Sequence, residues 1–455
     1  MQYSLTLAAL VSGTAAFPHM ARQLVDAVQK RASAASGESY TGFPTTVFDA
    51  ADQMVVNDGT YYYKAADFSA GDIRGPCPGL NAAANHGYIS RDGITDLVEA
   101  IQGTNKVFNM GIDLGGFLSA YSVLTDGNPL STKWSIGGIG DLGTMLPGQG
   151  TGKGLTGSHN KYETDSSPMR GDLYQYGNNY ELQLSQFQRF YDYHRGEENP
   201  NYTFDDLLAW RKERFTDSVE NNPNFFYGAF SGIQVSQAAF TFISAFMSNH
   251  SAEYPNGFLS RDTLKSFMGV TESGGNDDGT GTLSFNPGTE RIPDNWYRRS
   301  SSNPYSIPAF ELDAARIFAY DPRTVSVGGN LGETNSYAGI NLEDITGGVY
   351  NAQNLAEGDN LFCFAKQLLT IGSGDAIQSL TAALGNAVST ITGQYINVLG
   401  TCPELTSIDQ SNLKEYPGYV ADETASAGTL KRRLELLSDE HLSKRAASFA
   451  AAKKA

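Results

Sequence analysis

Only three cysteines, six histidines and three tryptophans occur in 455 residues, and basic residues are scarce: 32 Lys and Arg stand against 49 Asp and Glu, a net charge of −17 at pH 7. Three cysteines cannot make a dense disulfide scaffold, and the histidines (His19, His86, His159, His194, His250 and His441) lack the ligand spacing of a zinc site. Neither an HExxH nor a GxSxG run is present, which removes the local signatures of zinc proteases and α/β-hydrolases. The acidic balance argues against nucleic acid and anionic lipid as partners, because both attract Lys and Arg. A formal GxGxxG at Gly138 to Gly143 has no βαβ pattern around it, and Pro147 ends any helix that should follow. Gly148 to Lys153 fails the spacing of a phosphate loop.

The apolar run Ser4 to Ala16 is too short to span a bilayer and ends in small residues. It reads as a secretory signal over residues 1–17, without the usual basic start, followed by a propeptide or linker over 18–40 with a dibasic pair at Lys30 and Arg31. Secretion agrees with two glycosylation sequons, at Asn201 and Asn249. It also agrees with pairing of Cys363 and Cys402, which leaves Cys77 odd; three free thiols are the other reading.

A hydrophobic content of 40% suffices for one large core or two ordinary ones. Apolar residues recur at helical spacing over Gly93 to Leu124, Tyr180 to Tyr193, Phe204 to Val219, Phe230 to Met247, Arg261 to Met268 and Asp313 to Ala319. Glu357 to Thr370 is a further helical candidate, and Ala376 to Val398 is ambiguous. Glycine-rich stretches at Asp126 to His159 and Ser273 to Gly288 read as a long loop and a surface insertion. The expected architecture is a mostly α, single compact helical domain over 41–418 with Gly-rich loops and little sheet. A charged tail over 419–455 follows, read as a solvated amphipathic helix, with a removable C-terminal segment as the other reading.

Cys77 is held between Pro76 and Pro78, which stiffen its backbone, and a helix-forming run begins near Leu80. The positive end of that helix beside the sulfur favours thiolate, the form that binds a soft metal. The stretch RGPCPGLNAAANHGYI around Cys77 resembles the proximal motif of the haem-thiolate peroxidases, the family of chloroperoxidase and the unspecific peroxygenases. Further likenesses follow in the family's order. They are Phe108 to Phe117, HNKYETDSS at His159 to Ser167, Asn222 to Phe225, Ile292 to Tyr297, and the Cys363 and Cys402 spacing.

The resemblance implies haem b with Cys77 as axial iron ligand, and a compact helical haem-peroxidase fold. It places Asn81, Asn85 and His86 in the cofactor-binding loop, with His86 in a hydrogen-bonding rather than a ligating role. Glu163, the Thr164 carbonyl and the Ser167 hydroxyl fall on the family's magnesium (or manganese) site; a helix cap at Asp165 or Ser166 is the plain alternative. Phe117, Tyr162 and Phe240 fall on or beside positions of the substrate channel. The implied activity is a secreted peroxidase or peroxygenase. It would use hydrogen peroxide on an apolar or phenolic molecule, in the manner of fungal secondary-metabolite peroxidases.

One departure stands out. The family's distal Arg and Glu, counted from Asn222, fall on Ser231 and Ala238, and neither replaces a carboxylate. Gln234 and Gln237 are the nearest polar side chains and are taken as the tentative distal pair. A haem-binding protein of the same fold with weak or lost catalysis is the alternative, and a metal hydrolase around Glu163 and Asp165 a third reading. The sequence does not decide the oligomeric state.

Overall fold

The computed structural model describes residues 40–128, 130–144, 152–275, 278–340, 342–351, 354–356, 360, 363–364 and 411–419. The expected signal, all of the expected propeptide but Tyr40, nearly all of the C-terminal tail, Cys402 and most of 357–398 lie outside the described residues. Eight helices of eight or more residues carry the described fold: α1 (Pro78–His86), α2 (Leu97–Phe108), α3 (Ile112–Thr125), α4 (Leu184–Tyr191), α5 (Phe204–Asn221), α6 (Gln237–Met247), α7 (Arg261–Met268) and α8 (Ile307–Tyr320). The strands are short: β1 (Ile94–Asp96) pairs with β2 (Lys133–Ser135), β4 (Val270–Ser273) with β5 (Thr282–Phe285), and β6 (Val327–Gly329) lies between β3 (Phe226–Tyr227) and β7 (Ala338–Ile340), all antiparallel. The mostly α expectation therefore holds.

Local chemistry sets the helix limits. The Asp96 carboxylate accepts from the Val98 and Glu99 amides and starts α2, which Asn109 ends at φ 53°. The helical spacing over Gly93 to Leu124 is carried by two helices, with β1 ahead of them. Thr203 and Asp206 form a capping box on α5. Helix α6 packs against α5, α7 and α8, and α1 packs against α2 and α7. Their apolar faces merge into one core that includes Phe108, Trp210, Phe240, Phe246 and Trp296.

Two loop expectations need correction. The supposed insertion at Ser273 to Gly288 contains β5 and the turn of a hairpin, with Thr271 opposite Ser284. Gly274, Gly275, Asp278 and Gly279 lie between four-residue strands, too short to show periodicity. Likewise, the long loop after Asp126 carries β2 and a 3₁₀ turn at Leu155–Gly157.

Asp126, at the end of α3, is buried, and burial holds its carboxyl up to about 7, although Thr125 Oγ1 donates to it at 2.8 Å. The unfolded chain releases this proton near pH 4, whereas the folded chain keeps it until about pH 7, so folding weakens as pH rises through that window. Asp126→Asn should remove that slope. Urea unfolding should show the variant gaining on the wild type from pH 4 to pH 7, by up to roughly 4 kcal/mol. A constant difference across that range would contradict the assignment.

Candidate active site

Local chemistry sets the Cys77 loop. Cys77 is the N-cap of α1, Pro78 takes the first helical position, and Gly87 closes the helix at φ 75°. The helix therefore starts at Pro78 rather than near Leu80. A Cβ on Gly75 would collide with the Ile136 carbonyl, so the loop approaches the β2 chain as only glycine allows. Asn81 clamps the same residue twice: its Oδ1 accepts from the Gly75 amide and its Nδ2 donates to the Gly75 carbonyl, both at 3.0 Å. Asn81 Nδ2 also donates to Glu290 Oε1 at 2.8 Å, and Arg170 Nε donates to the Pro76 carbonyl at 2.9 Å.

Cys77 is the free cysteine among the described residues, and it lines a cavity of about 1420 Å³, open mouth included. Burial pushes its thiol up, while the Leu80 and Gly79 amides and Arg170 pull the other way. Helix α1 thus helps the thiolate as the sequence predicts, but in the bare protein burial outweighs it. A bound metal cation reverses that balance, since a coordinating thiol is deprotonated.

Apart from Glu163 and Arg170 the cavity wall is uncharged, and most of it is apolar, with Phe108, Leu118, Trp134, Phe242 and Phe246. Tyr162 also lines it; burial pushes its phenol up, against a hydrogen bond with Ser122. Such a chamber suits a flat apolar group held by a thiolate. A smaller apolar cavity, lined by Phe117, Phe230 and Phe310, shares Leu118, Val235, Ala238 and Phe242 with the large one.

The Glu163 loop meets the chamber through Glu163, Thr164 and Ser167. Glu163 Oε2 accepts from His159 Nδ1 at 2.8 Å and from Asn179 Nδ2, whereas its Oε1 is buried without a partner. Behind the loop, Asp165 and Asp172 share Asn222 Nδ2 at 3.1 Å each, and Arg214 Nη2 donates to Asp172. Burial and Asp172 push the Asp165 carboxyl well up. No helix starts at Pro168, so the cap does not form there; the Asp165 carboxylate instead accepts from the Leu173 amide at 3.2 Å, at the start of the short helix Leu173–Tyr176.

The far wall is a π turn, Ser231–Ser236, running into α6. The extra residue in that turn re-aims everything after it. Val235, Ser236, Ala238, Ala239, Phe242, Ile243 and Phe246 face the cavity. Gln237 points away: it accepts from Arg211 Nε at 3.1 Å and donates to the Thr324 carbonyl at 3.2 Å and to the Tyr227 hydroxyl. The tentative distal role of Gln237 is therefore corrected, because its amide belongs to a buried network behind the helix. Gln234 lines the smaller cavity and not the large one, so it too leaves the tentative place. Ala238, the place that the count from Asn222 gives, lines both cavities.

Further placements differ from the sequence reading. Asn85, whose Oδ1 accepts from Arg74 Nε and Nη2, and His86 stay outside the cavity wall, as does Asn81. His86 is buried, with Nδ1 3.0 Å from the Tyr61 carbonyl and Nε2 3.2 Å from the Ile292 amide, and burial lowers its pKa. These three brace the cysteine loop rather than touch its ligand. Phe240 turns toward Arg211, whose guanidinium lies 5.3 Å from the ring centroid, and does not line the chamber. Arg170, Glu290 and Ser236 went unread in the sequence; Arg170, three residues past Ser167, is the one that a closer reading of that loop would have found.

Within a helical domain, a free cysteine at a helix N-cap lines an apolar chamber, a site of the kind that can hold a thiolate-ligated prosthetic group. Residues 61–301 match Peroxidase, family 2, and the chain belongs to this family of fungal haem-thiolate peroxidases. It is 38% identical to the aromatic peroxidase fscJ of Fusarium equiseti, over 82% of this chain and 86% of that protein. It is 36% identical to the dothistromin biosynthesis peroxidase dotB of Dothistroma septosporum, over 91% of this chain and 97% of that one. An aromatic peroxygenase of Cyclocybe aegerita is 32% identical over 40% of this chain and 49% of its own length. The chain is a peroxidase or peroxygenase, and its cofactor is haem.

Proposed function

We propose that this enzyme uses hydrogen peroxide to oxidise an aromatic, largely apolar molecule in a biosynthetic pathway, with haem b held by Cys77. The observation that carries this reading is the free Cys77 thiol on the wall of a chamber built almost entirely of apolar and aromatic side chains. The likeness to the aromatic peroxidase fscJ and the dothistromin biosynthesis peroxidase dotB supports an aromatic substrate and a secondary-metabolite setting. When bound, a thiolate-ligated haem supplies cleavage of the peroxide O–O bond. The chain's residues do the rest: Asn81 and Arg170 fix the Cys77 loop, Phe108, Phe242 and Phe246 exclude water, and the smaller cavity beside Phe117 admits the organic molecule. Haem-loaded protein should oxidise a phenol or aryl alcohol with peroxide far faster than free haem does.

A second reading has its own observation. Among the described cavity residues no carboxylate stands on the Val235 to Met247 wall, so a haem-binding protein with weak catalysis is the rival. Turnover no faster than free haem would favour it.

We also assign a magnesium or manganese ion to Glu163, the Thr164 carbonyl and the Ser167 hydroxyl. The partnerless buried Glu163 Oε1 at the cavity edge fits an oxygen-seeking cation. Glu163→Gln should strip the metal from purified protein, read by elemental analysis, and speed haem loss to apomyoglobin by ~10-fold or more. Metal retained at the wild-type level would contradict the assignment. The same proposal places the enzyme in the secretory pathway, with Cys363 joined to Cys402 and glycans at Asn201 and Asn249. Both asparagines are half-buried and accept from backbone amides, of Leu259 and Tyr297, at 2.9 Å. Peptide mapping of secreted protein tests these three modifications together.

A further inference from the structure

We propose that Ser236 is the catalytic hydrogen-bond donor to hydrogen peroxide, on the same wall as Ala238, where the expected carboxylate is missing; this rests on the haem-thiolate reading above. Ser236 is buried, lines the large cavity, and its hydroxyl has no partner. The other cavity hydroxyls are occupied or belong elsewhere. Thr104 donates to the Ala100 carbonyl at 2.7 Å, Ser158 donates to the Leu155 carbonyl at 2.7 Å, and Ser119 accepts from Trp134 Nε1 at 3.0 Å. Tyr162 is bonded to Ser122, and Thr164 and Ser167 belong to the Glu163 loop. Among the described residues, Ser236 is thus the one partnerless hydroxyl on the wall away from that loop.

A helical serine ordinarily satisfies itself on the carbonyl one turn back. Ser236 ends the π turn instead, and Val235, Ala238 and Ala239 beside it on the wall offer no polar side chain. An orphaned buried hydroxyl weakens the fold, so its presence at a cavity surface points to a partner that arrives from the cavity. Peroxide is that partner. The Ser236 hydroxyl donates to a peroxide oxygen, orients it and draws charge from it, without a net proton transfer to serine.

The test uses the haem-loaded enzyme, with Ser236→Ala and Ser236→Thr. In Ser236→Ala the rate of reaction with peroxide should fall ~10-fold, the value of one neutral hydrogen bond, and Ser236→Thr should restore most of it. The Ala variant should unfold at or above the wild-type temperature, because an orphan has been removed. The stretching frequency of bound carbon monoxide should rise in Ser236→Ala and stay near the wild-type value in Ser236→Thr. Unchanged peroxide rate and unchanged stretching frequency in Ser236→Ala would overturn the proposal. Should Ser236→Ala fail to take up haem, the unmutated enzyme decides: its carbon monoxide band must shift in deuterated water, and an unshifted band overturns the proposal. The long-wavelength carbon monoxide band of thiolate ligation reports separately on Cys77, so its absence marks failure of the haem-thiolate reading rather than of Ser236.

Discussion

Ala238→Glu should accelerate the reaction of the haem-loaded enzyme with hydrogen peroxide by ~10²–10⁴-fold, the usual effect of a positioned general base. Ala238 sits in the wall of both cavities, on the face of α6 that looks toward the chamber, and it holds the place counted from Asn222 for the family's missing acid. A glutamate there can take the proton from one peroxide oxygen and deliver it to the other. Its rate should climb with pH as the carboxylate ionises, a dependence that the wild type lacks. Ala238→Gln fills the same volume without a transferable proton and should stay near the wild-type rate. Stopped-flow mixing with peroxide separates the two, and equal rates in the Glu and Gln variants would contradict the placement of this wall. The gain has a steric consequence. Position 238 borders both cavities, so the longer side chain should slow turnover of bulky fused-ring substrates more than that of small phenols.

Cys77→Ser should lower peroxide-dependent turnover by ~10³-fold or more while leaving the apoprotein's fold nearly unchanged. Serine keeps the size and the N-cap geometry, yet its hydroxyl does not ionise near neutral pH and so supplies no anionic ligand. Burial already pushes the Cys77 thiol up, and the amides of Leu80 and Gly79 oppose this only in part, so the bare site stabilises no anion by itself. On the proposed reading, the metal and the sulfur would therefore depend on each other. Circular dichroism and thermal unfolding of the apoprotein report the fold, and turnover of the haem-loaded protein reports the ligand. Activity retained in Cys77→Ser would mean that another residue holds the iron.

The proximal half of the site was legible in the sequence because its chemistry is local. Two prolines, a cysteine and a helix-forming run lie within a dozen residues, and the Glu163 loop likewise reads along the chain. Helix α7 matched from Arg261 to Met268, since Ser260 caps it and Gly269 ends it in the left-handed region. The distal half was not legible in the same way. The π turn at Ser231–Ser236 shifts the register by one residue without disturbing the apolar pattern, so chemistry alone favoured Gln237, whereas the backbone turns it toward Arg211. Phe240 turns with it. Arg170 and Glu290 act on the cysteine loop across long stretches of chain, with Glu290 reaching Asn81 209 residues away. The β4 and β5 hairpin escaped for the opposite reason: its strands are shorter than any periodicity that could reveal them.

The carbon monoxide difference spectrum of the reduced, haem-loaded protein tests the central claim most directly. Thiolate ligation by Cys77 predicts the strongly red-shifted absorption band of a thiolate-bound carbon monoxide complex, lost in Cys77→Ser. A band at the shorter wavelength of histidine-ligated haems, or a red-shifted band that survives the substitution, would contradict it.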